Sequence, residues 1–167
     1  MQKIRIVGDD TRYLTLAVLL VVRQLFSVMF IIASAGHFTP STIASAAQQG
    51  VPMPGLLVPM SGLIALVGGL SVLFGYRAKF GAWLLVLFLV PVTLMMHNFW
   101  AVSDPMTFQV QLTLFIRNVV LLGGALLFAF FGAGPLSLDA LMARPVVQLE
   151  YRDGEQLTEA ASQLAIR

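Results

Sequence analysis

The chain has 167 residues, of which 58% are hydrophobic and 11% charged, with a mean hydropathy of +0.87 and a formal net charge of +2. Soluble domains lie near about 45–50% apolar and about 25% charged residues, so an ordinary water-soluble globule is excluded. Lys and Arg are scattered singly between apolar runs, which excludes nucleic-acid binding. The absence of Cys excludes disulfides, iron–sulfur ligation and dithiol chemistry by the chain itself.

Met1 to Asp10 alternates Ile4 and Ile6 with Lys3 and Arg5, a strand-like pattern. Asp9, Asp10 or Thr11 can then cap a first helix expected from about Arg12 to Phe38, because their oxygens accept from its free N–H groups. Ala33-Ser34-Ala35 resembles a peptidase site, but the apolar stretch is too long and Arg23 interrupts it, so the segment reads as an uncleaved anchor. Thr39 to Pro59 carries no charge and four prolines; with Gly50 these argue against a continuing helix and predict a partly ordered cap at the membrane interface.

The second span is expected from Leu56 to Gly75. Ser61, Ala65 and Gly69 recur four residues apart in it, the spacing that lets membrane helices approach closely, within the bundle or in a homodimer. Gly75 to Lys79 is too short for anything but a tight turn, which makes the flanking spans antiparallel. The third span, Phe80 to Trp100, has no charge from Ala82 to Met96, is flanked by Trp83 and Trp100, and contains a kinking Pro91. A loop from Asn98 to Phe108 leads to a fourth span from about Gln111 to Phe131, which Gly132-Ala133-Gly134-Pro135 terminates.

Ser137 to Met142 reads as a short capped amphipathic helix, and Val146 to Arg167 as a tail with a strand-like VVQLEY and a charged end. The fold expected is all-α, a four-transmembrane-helix antiparallel bundle over residues 1–135, with the amphipathic helix and tail at 136–167. Lys3, Arg5, Arg12, Arg77, Lys79, Arg144, Arg152 and Arg167 all fall on one side of such a bundle and the opposite loops hold no cation, so both termini are expected in the cytosol. LVGGLSVLFG at 66–75 and LLGGALLFAFFG at 121–132 hint at two parallel hairpins repeated about an axis along the membrane normal.

Arg23, Arg117, Asn118 and the two histidines, His37 and His97, do not suit lipid. Such groups normally face the bundle interior, where they pair or mark function. Gln111, Thr113, Arg117, Asn118 and Gly124 share one broad face of the fourth span, and Thr93 and His97 lie one turn apart on the third. Facing each other, they would form a polar pocket under the outer loops, roofed by Phe99, Trp100 and His37, with Asn98 beside it. No carboxylate lies inside a span, so Arg117 looks to carbonyls, Asn118, water, Asp104 or the oxygen of an anionic or quinone-like ligand. Snorkelling to the surface is the plainer account of Arg117, and inner headgroups or bundle packing that of Arg23. Two histidines could ligate a haem axially, and Met95-Met96 beside His97 suits a soft metal; hydrogen bonding and packing are the readings preferred, with no metal site.

The segment Gly50-Val51-Pro52, the Leu-Val-Gly-Gly and Leu-Phe-Gly of the second span, Met-His-Asn-Phe-Trp at 96–100, Arg117-Asn118, and Gly-Ala-Gly-Pro-Leu-Ser-Leu-Asp at 132–139 together resemble the DoxX family of small bacterial inner-membrane proteins. The resemblance covers residues 15–140 and implies a four-helix bundle in the bacterial inner membrane. Relatives include the membrane subunit of thiosulfate:quinone oxidoreductase, so it also implies a membrane or peripheral redox partner and a quinone as the cofactor to look for. Ala65 stands where many relatives carry Glu, His37 where they carry Lys, and Arg117 where they often carry Lys. The functional expectation is an accessory component of a quinone-linked process, not an enzyme on its own; a small-solute binder or transporter using the polar pocket is the alternative.

With no native Cys, single cysteines report topology cleanly. Ser103→Cys in whole cells should react with a membrane-impermeant maleimide, and Tyr76→Cys only after the membrane is opened; the reverse pattern refutes the orientation.

Overall fold

The computed structural model describes residues 8–143, and the expected N-terminal strand and the tail from Arg144 onward lie outside them. The elements are α1 (Gly8–Gly36), α2 (Pro40–Gln48), α3 (Pro54–Phe74), α4 (Ala78–Met96), a 3-10 turn (Phe99–Ala101), α5 (Pro105–Phe131) and α6 (Leu138–Met142). No strand occurs among the described residues. Four segments are long and apolar enough to cross a membrane: Thr11–Gly36, Pro54–Phe74, Ala78–Ala101 and Pro105–Phe131. Their outer faces expose Leu25, Ile32, Leu63, Leu87, Val120 and Leu127, each more than half accessible. That belt would be an aggregation surface in water, whereas hydrocarbon covers it without penalty.

α1 packs on α3, α3 on α4 and α4 on α5, so the bundle is a chain of antiparallel neighbours. Small residues set the closest approach. A Cβ at Gly69 would lie 3.2 Å from the Phe30 and Ile31 side chains, and one at Gly62 would lie 2.6 Å from the His37 Cβ, so both permit the contact of α3 with α1. Ala65 between them is fully buried. The small-residue face therefore runs through Gly62 where the spacing suggested Ser61, whose hydroxyl turns back to the Val58 carbonyl at 2.7 Å, and the face is used within one chain.

Between α1 and α5 the backbones stay apart and aromatic rings fill the space. Phe26 lies 5.0 Å from both Phe128 and Phe30, Phe30 lies 6.4 Å from Phe88, and Phe88 lies 5.4 Å from the His37 ring. Edge-to-face rings bury large area with little freedom to lose, which suits a seam that backbone contact does not close.

At the end of the bundle carrying the α3–α4 turn, segment 132–139 acts as a clasp. Gly75, at φ 65, ends α3 in the left-handed region, and a Cβ there would strike Ser137. Arg77 also has positive φ, and no side chain from its own helix caps α4. Asp139 does so instead, accepting from Arg77 N–H at 2.7 Å and Ala78 N–H at 3.0 Å, where a carboxylate meets the positive end of the helix dipole. From the other side Arg23, 4% exposed, donates through one guanidinium nitrogen to the carbonyls of Ala133 (3.0 Å) and Leu136 (2.6 Å). Arg23 therefore fixes the bundle, while its Nε and the Ser27 hydroxyl one turn on lack a partner among the described residues. Ser137 caps α6 as expected, accepting from Ala140 N–H at 3.2 Å.

Four boundaries differ from the sequence reading. Thr39 to Pro59 contains a true helix, because Pro40 occupies its first position, where no N–H is needed, and the Thr39 hydroxyl accepts from Thr42 N–H at 3.4 Å. The fourth span begins six residues earlier than Gln111, at Pro105, with Asp104 as its N-cap. α4 stops at Met96, although the span itself continues through the 3-10 turn to Ala101, and α1 ends at Gly36.

Arg23→Met keeps an unbranched, flexible side chain but removes the charge and the donors. It should destabilise the detergent-solubilised protein by on the order of 1–2 kcal/mol, read as a lower melting temperature, because the Ala133 and Leu136 carbonyls lose their donor. An unchanged melt would show that the clasp holds nothing.

Candidate functional site

The site arises where α1 stops short. Its last residues lie against Gly62 and His37 against Phe88, each eight residues inside α3 or α4, so α1 ends about 12 Å below the tips of its neighbours. α2 covers the gap: Ala46 is fully buried, and the Gln49 amide nitrogen, turned inward, sits 3.0 Å from the Met95 and Met96 carbonyls that the end of α4 leaves free. Beneath this cover lie two cavities.

The first, of about 200 Å³, lies between α1, α4 and α5 and is lined by Met29, Phe30, Ala33, His37, Thr42, Phe88, Leu89, Val92, Met96, His97, Arg117, Asn118 and Leu121. Four of the eight residues expected to form a site are thus brought together: His37, His97, Arg117 and Asn118. Asn118 is 4% exposed and lines the cavity. Arg117 lines the cavity and is otherwise exposed at the open seam between α5 and α1. A largely buried amide on the wall of such a cavity is a group with which a ligand's oxygen could pair.

The two histidines are held alike. His37 Nδ1 lies 3.0 Å from the Ala33 carbonyl, which can only accept, so Nδ1 carries the proton and Nε2 is the free nitrogen. His97 Nδ1 lies 3.0 Å from Gln111 Oε1, with the same consequence for that orientation of the amide. Their depths differ. Asn118 lies seven residues beyond Gln111 on α5, so it and His37 sit roughly 10 Å below the His97–Gln111 pair. The histidines therefore mark the floor and the mouth of one cavity.

The other expected residues stand elsewhere. Thr93 is buried but donates to the Leu89 carbonyl of its own helix at 2.6 Å. Gln111 acts through His97. Asn98 precedes the 3-10 turn, half-buried, and Trp100 is 58% exposed, with its ring 5.1 Å from Phe99 and 5.9 Å from Phe115 in an aromatic cluster over α5. Thr113 is exposed and bonds the Gln109 carbonyl at 2.8 Å. Asp104, offered as a partner for Arg117, is engaged at 2.8 Å by Thr107 N–H and at 2.7 Å by its hydroxyl. Sequence reasoning missed the apolar walls, Met29, Phe30, Ala33, Phe88 and Leu121, for which helical periodicity was the available signal.

The second cavity, of about 350 Å³, lies between α3 and α4 under α2. Leu57, Val58, Met60, Ser61, Ile64, Leu87, Pro91 and Met95 line it together with Ala46 and Val51, and five residues, His37, Thr42, Phe88, Val92 and Met96, are shared with the first. Both volumes belong to the apolar, part-enclosed kind in which a few polar groups orient a small ligand.

A four-helix integral membrane bundle with a cavity at one end is the class this architecture defines. Residues 18–98 match the DoxX family model, which supports assigning the chain to the DoxX family. That match runs from α1 to the end of α4, and Arg117, Asn118 and the clasp lie beyond it. No curated protein and no solved structure matches the chain.

The Asp104 carboxyl, which starts the helix bearing Arg117 and Asn118, is held below the usual aspartate range by the Thr107 hydroxyl and then the Thr107 N–H. A depressed folded pKa contributes stability above the unfolded value, about 3.9, that is lost as pH falls through the folded value. Asp104→Ala should therefore lower the melting temperature at pH 7, and the gap from wild type should close as pH falls below about 4. A gap that does not narrow as pH falls contradicts the cap.

Proposed function

We propose that this DoxX-family protein holds a quinone-like ligand in the membrane for a redox process whose electron carrier is a partner protein. The observation that carries the reading is the gathering of Asn118, Arg117, His37 and His97 on one cavity whose remaining walls, apart from Thr42, are apolar. A quinone ring is flat and apolar with oxygens at opposite edges, and when bound it supplies two-electron chemistry that this Cys-free chain lacks. Asn118 N–H and the Arg117 guanidinium can donate to such an oxygen. The free Nε2 of His37 or His97 can accept a proton from the reduced ring's hydroxyl, while Phe30, Phe88 and Leu121 exclude water from its faces. Apolar walls favour this ligand over a hydrated solute, which would have to leave its water behind.

The cations at the turn end support an orientation with that end at the bacterial cytoplasm and the cavity toward the outer face, with α2 between it and the medium. Exposed Trp100 and the aromatic cluster beside the cavity mouth offer a peripheral or membrane redox partner a surface to dock on.

A tailless benzoquinone should raise the melting temperature of the detergent-solubilised protein. Asn118→Leu should weaken that effect by tenfold or more in concentration, about 1.4 kcal/mol, while Thr113→Ala leaves it intact. No stabilisation by benzoquinones or naphthoquinones, or equal stabilisation of Asn118→Leu, refutes the reading.

A further inference from the structure

The larger cavity has no polar task, and its position says what fills it. Its mouth is formed by Met60, Leu87, Pro91 and Met95, all exposed on the outer surface of α3 and α4 where the bundle meets hydrocarbon. Its inner wall is His37, Thr42, Phe88, Val92 and Met96, the residues it shares with the polar cavity. Within a spanning bundle, a space open to lipid and lined by Leu57, Val58, Ile64 and Val92 does not retain water, and an empty one forfeits dispersion contacts on every wall. Pro91 keeps it open, because the ring takes the place of a backbone N–H and disturbs close packing of α4 at this level.

We infer that the α3–α4 cavity takes the hydrocarbon tail of the ligand whose ring lies in the α1–α4–α5 cavity, so that a single amphiphile straddles the His37–Phe88 edge contact. The inference rests on the quinone reading and names the ligand class more closely: a ring with a long acyl or isoprenoid chain, entering sideways from the bilayer. At roughly 30 Å³ for a water-sized group, about 350 Å³ holds on the order of ten methylene-sized groups of that chain. The passage between the lobes lies along Met96 and Thr42. Met96 is an unbranched side chain that can swing aside without breaking a hydrogen bond, whereas His37 is pinned by the Ala33 carbonyl and by the lack of a side chain at Gly62.

The test uses the full chain in nanodiscs with two photoactivatable probes of equal ten-carbon tail, each with a diazirine at the tail end, one headed by a benzoquinone and one by a plain alcohol. The headed probe should label the segments 57–64 and 87–95 at least tenfold more than the alcohol. Ser61→Trp, which fills the cavity, should abolish that labelling, and the milder Ser61→Leu should reduce it while preserving the wild-type melt. Equal labelling by the two probes, or labelling that Ser61→Leu and Ser61→Trp leave unchanged, overturns the two-lobed site. The two readings fail separately: stabilisation by a tailless benzoquinone that survives in both Ser61 variants keeps the ring site even where the tail is found elsewhere.

Discussion

Segment 132–139 is held from two sides by opposite charges that never touch each other. Arg23 draws its carbonyls toward α1, and Asp139 fastens its far end to the N-terminus of α4. A guanidinium buried in a membrane helix needs oxygen partners, and a helix N-terminus needs acceptors; one short stretch of backbone and one carboxylate answer both needs. Since α1 and α5 scarcely meet through their backbones, this clasp and the Phe26–Phe128 contact are what join the first helix to the last. The end that carries it is thereby closed. The opposite end has no counterpart, and there the bundle opens.

The opening follows from helix length. α1 stops about 12 Å short of α3 and α4, and α2 spans the missing height as a lid lacking the bulk to fill it. Polar residues that would be costly in lipid collect around the vacancy. His37 and Asn118 lie at its floor and His97 at its mouth, and Arg117 sits at the seam where the guanidinium reaches both the cavity and the exterior. Each imidazole is oriented by a carbonyl oxygen, which leaves one ring nitrogen of each for chemistry and gives the cavity acceptors at two heights.

Much of the fold is written in composition. Apolar runs of twenty residues or more interrupted by short Gly- and Pro-containing turns leave little alternative to antiparallel membrane helices, and Ser137 with its following helix is a local signal that local reasoning reads correctly. The two misplaced helix starts share one cause, proline. Pro40 and Pro105 look like breakers, yet each stands at the first position of a helix behind a capping Thr39 or Asp104, where its missing N–H does no harm. The helix face of Arg117 and Asn118 was legible from spacing. The depth of His37 was not, because it depends on where α1 ends relative to Gly62 and Phe88, and no pattern within α1 encodes that. Nor could Arg23 be matched to Ala133 and Leu136, since carbonyl acceptors leave no mark in side-chain identity.

That last pairing has a consequence for biosynthesis. The acceptor at Ala133 lies 110 residues downstream of Arg23, so at about 5–20 residues per second it emerges on the order of 6–22 s after the arginine has been made. Throughout that interval the first helix sits in the membrane carrying a cation with no permanent companion, and only phosphate headgroups can serve it. Arg23 is thus an anchor to the lipid surface during translation and a fastener afterwards. The bundle reaches its closed form as a final event, when the ribosome has delivered the stretch that takes the guanidinium out of the lipids' keeping.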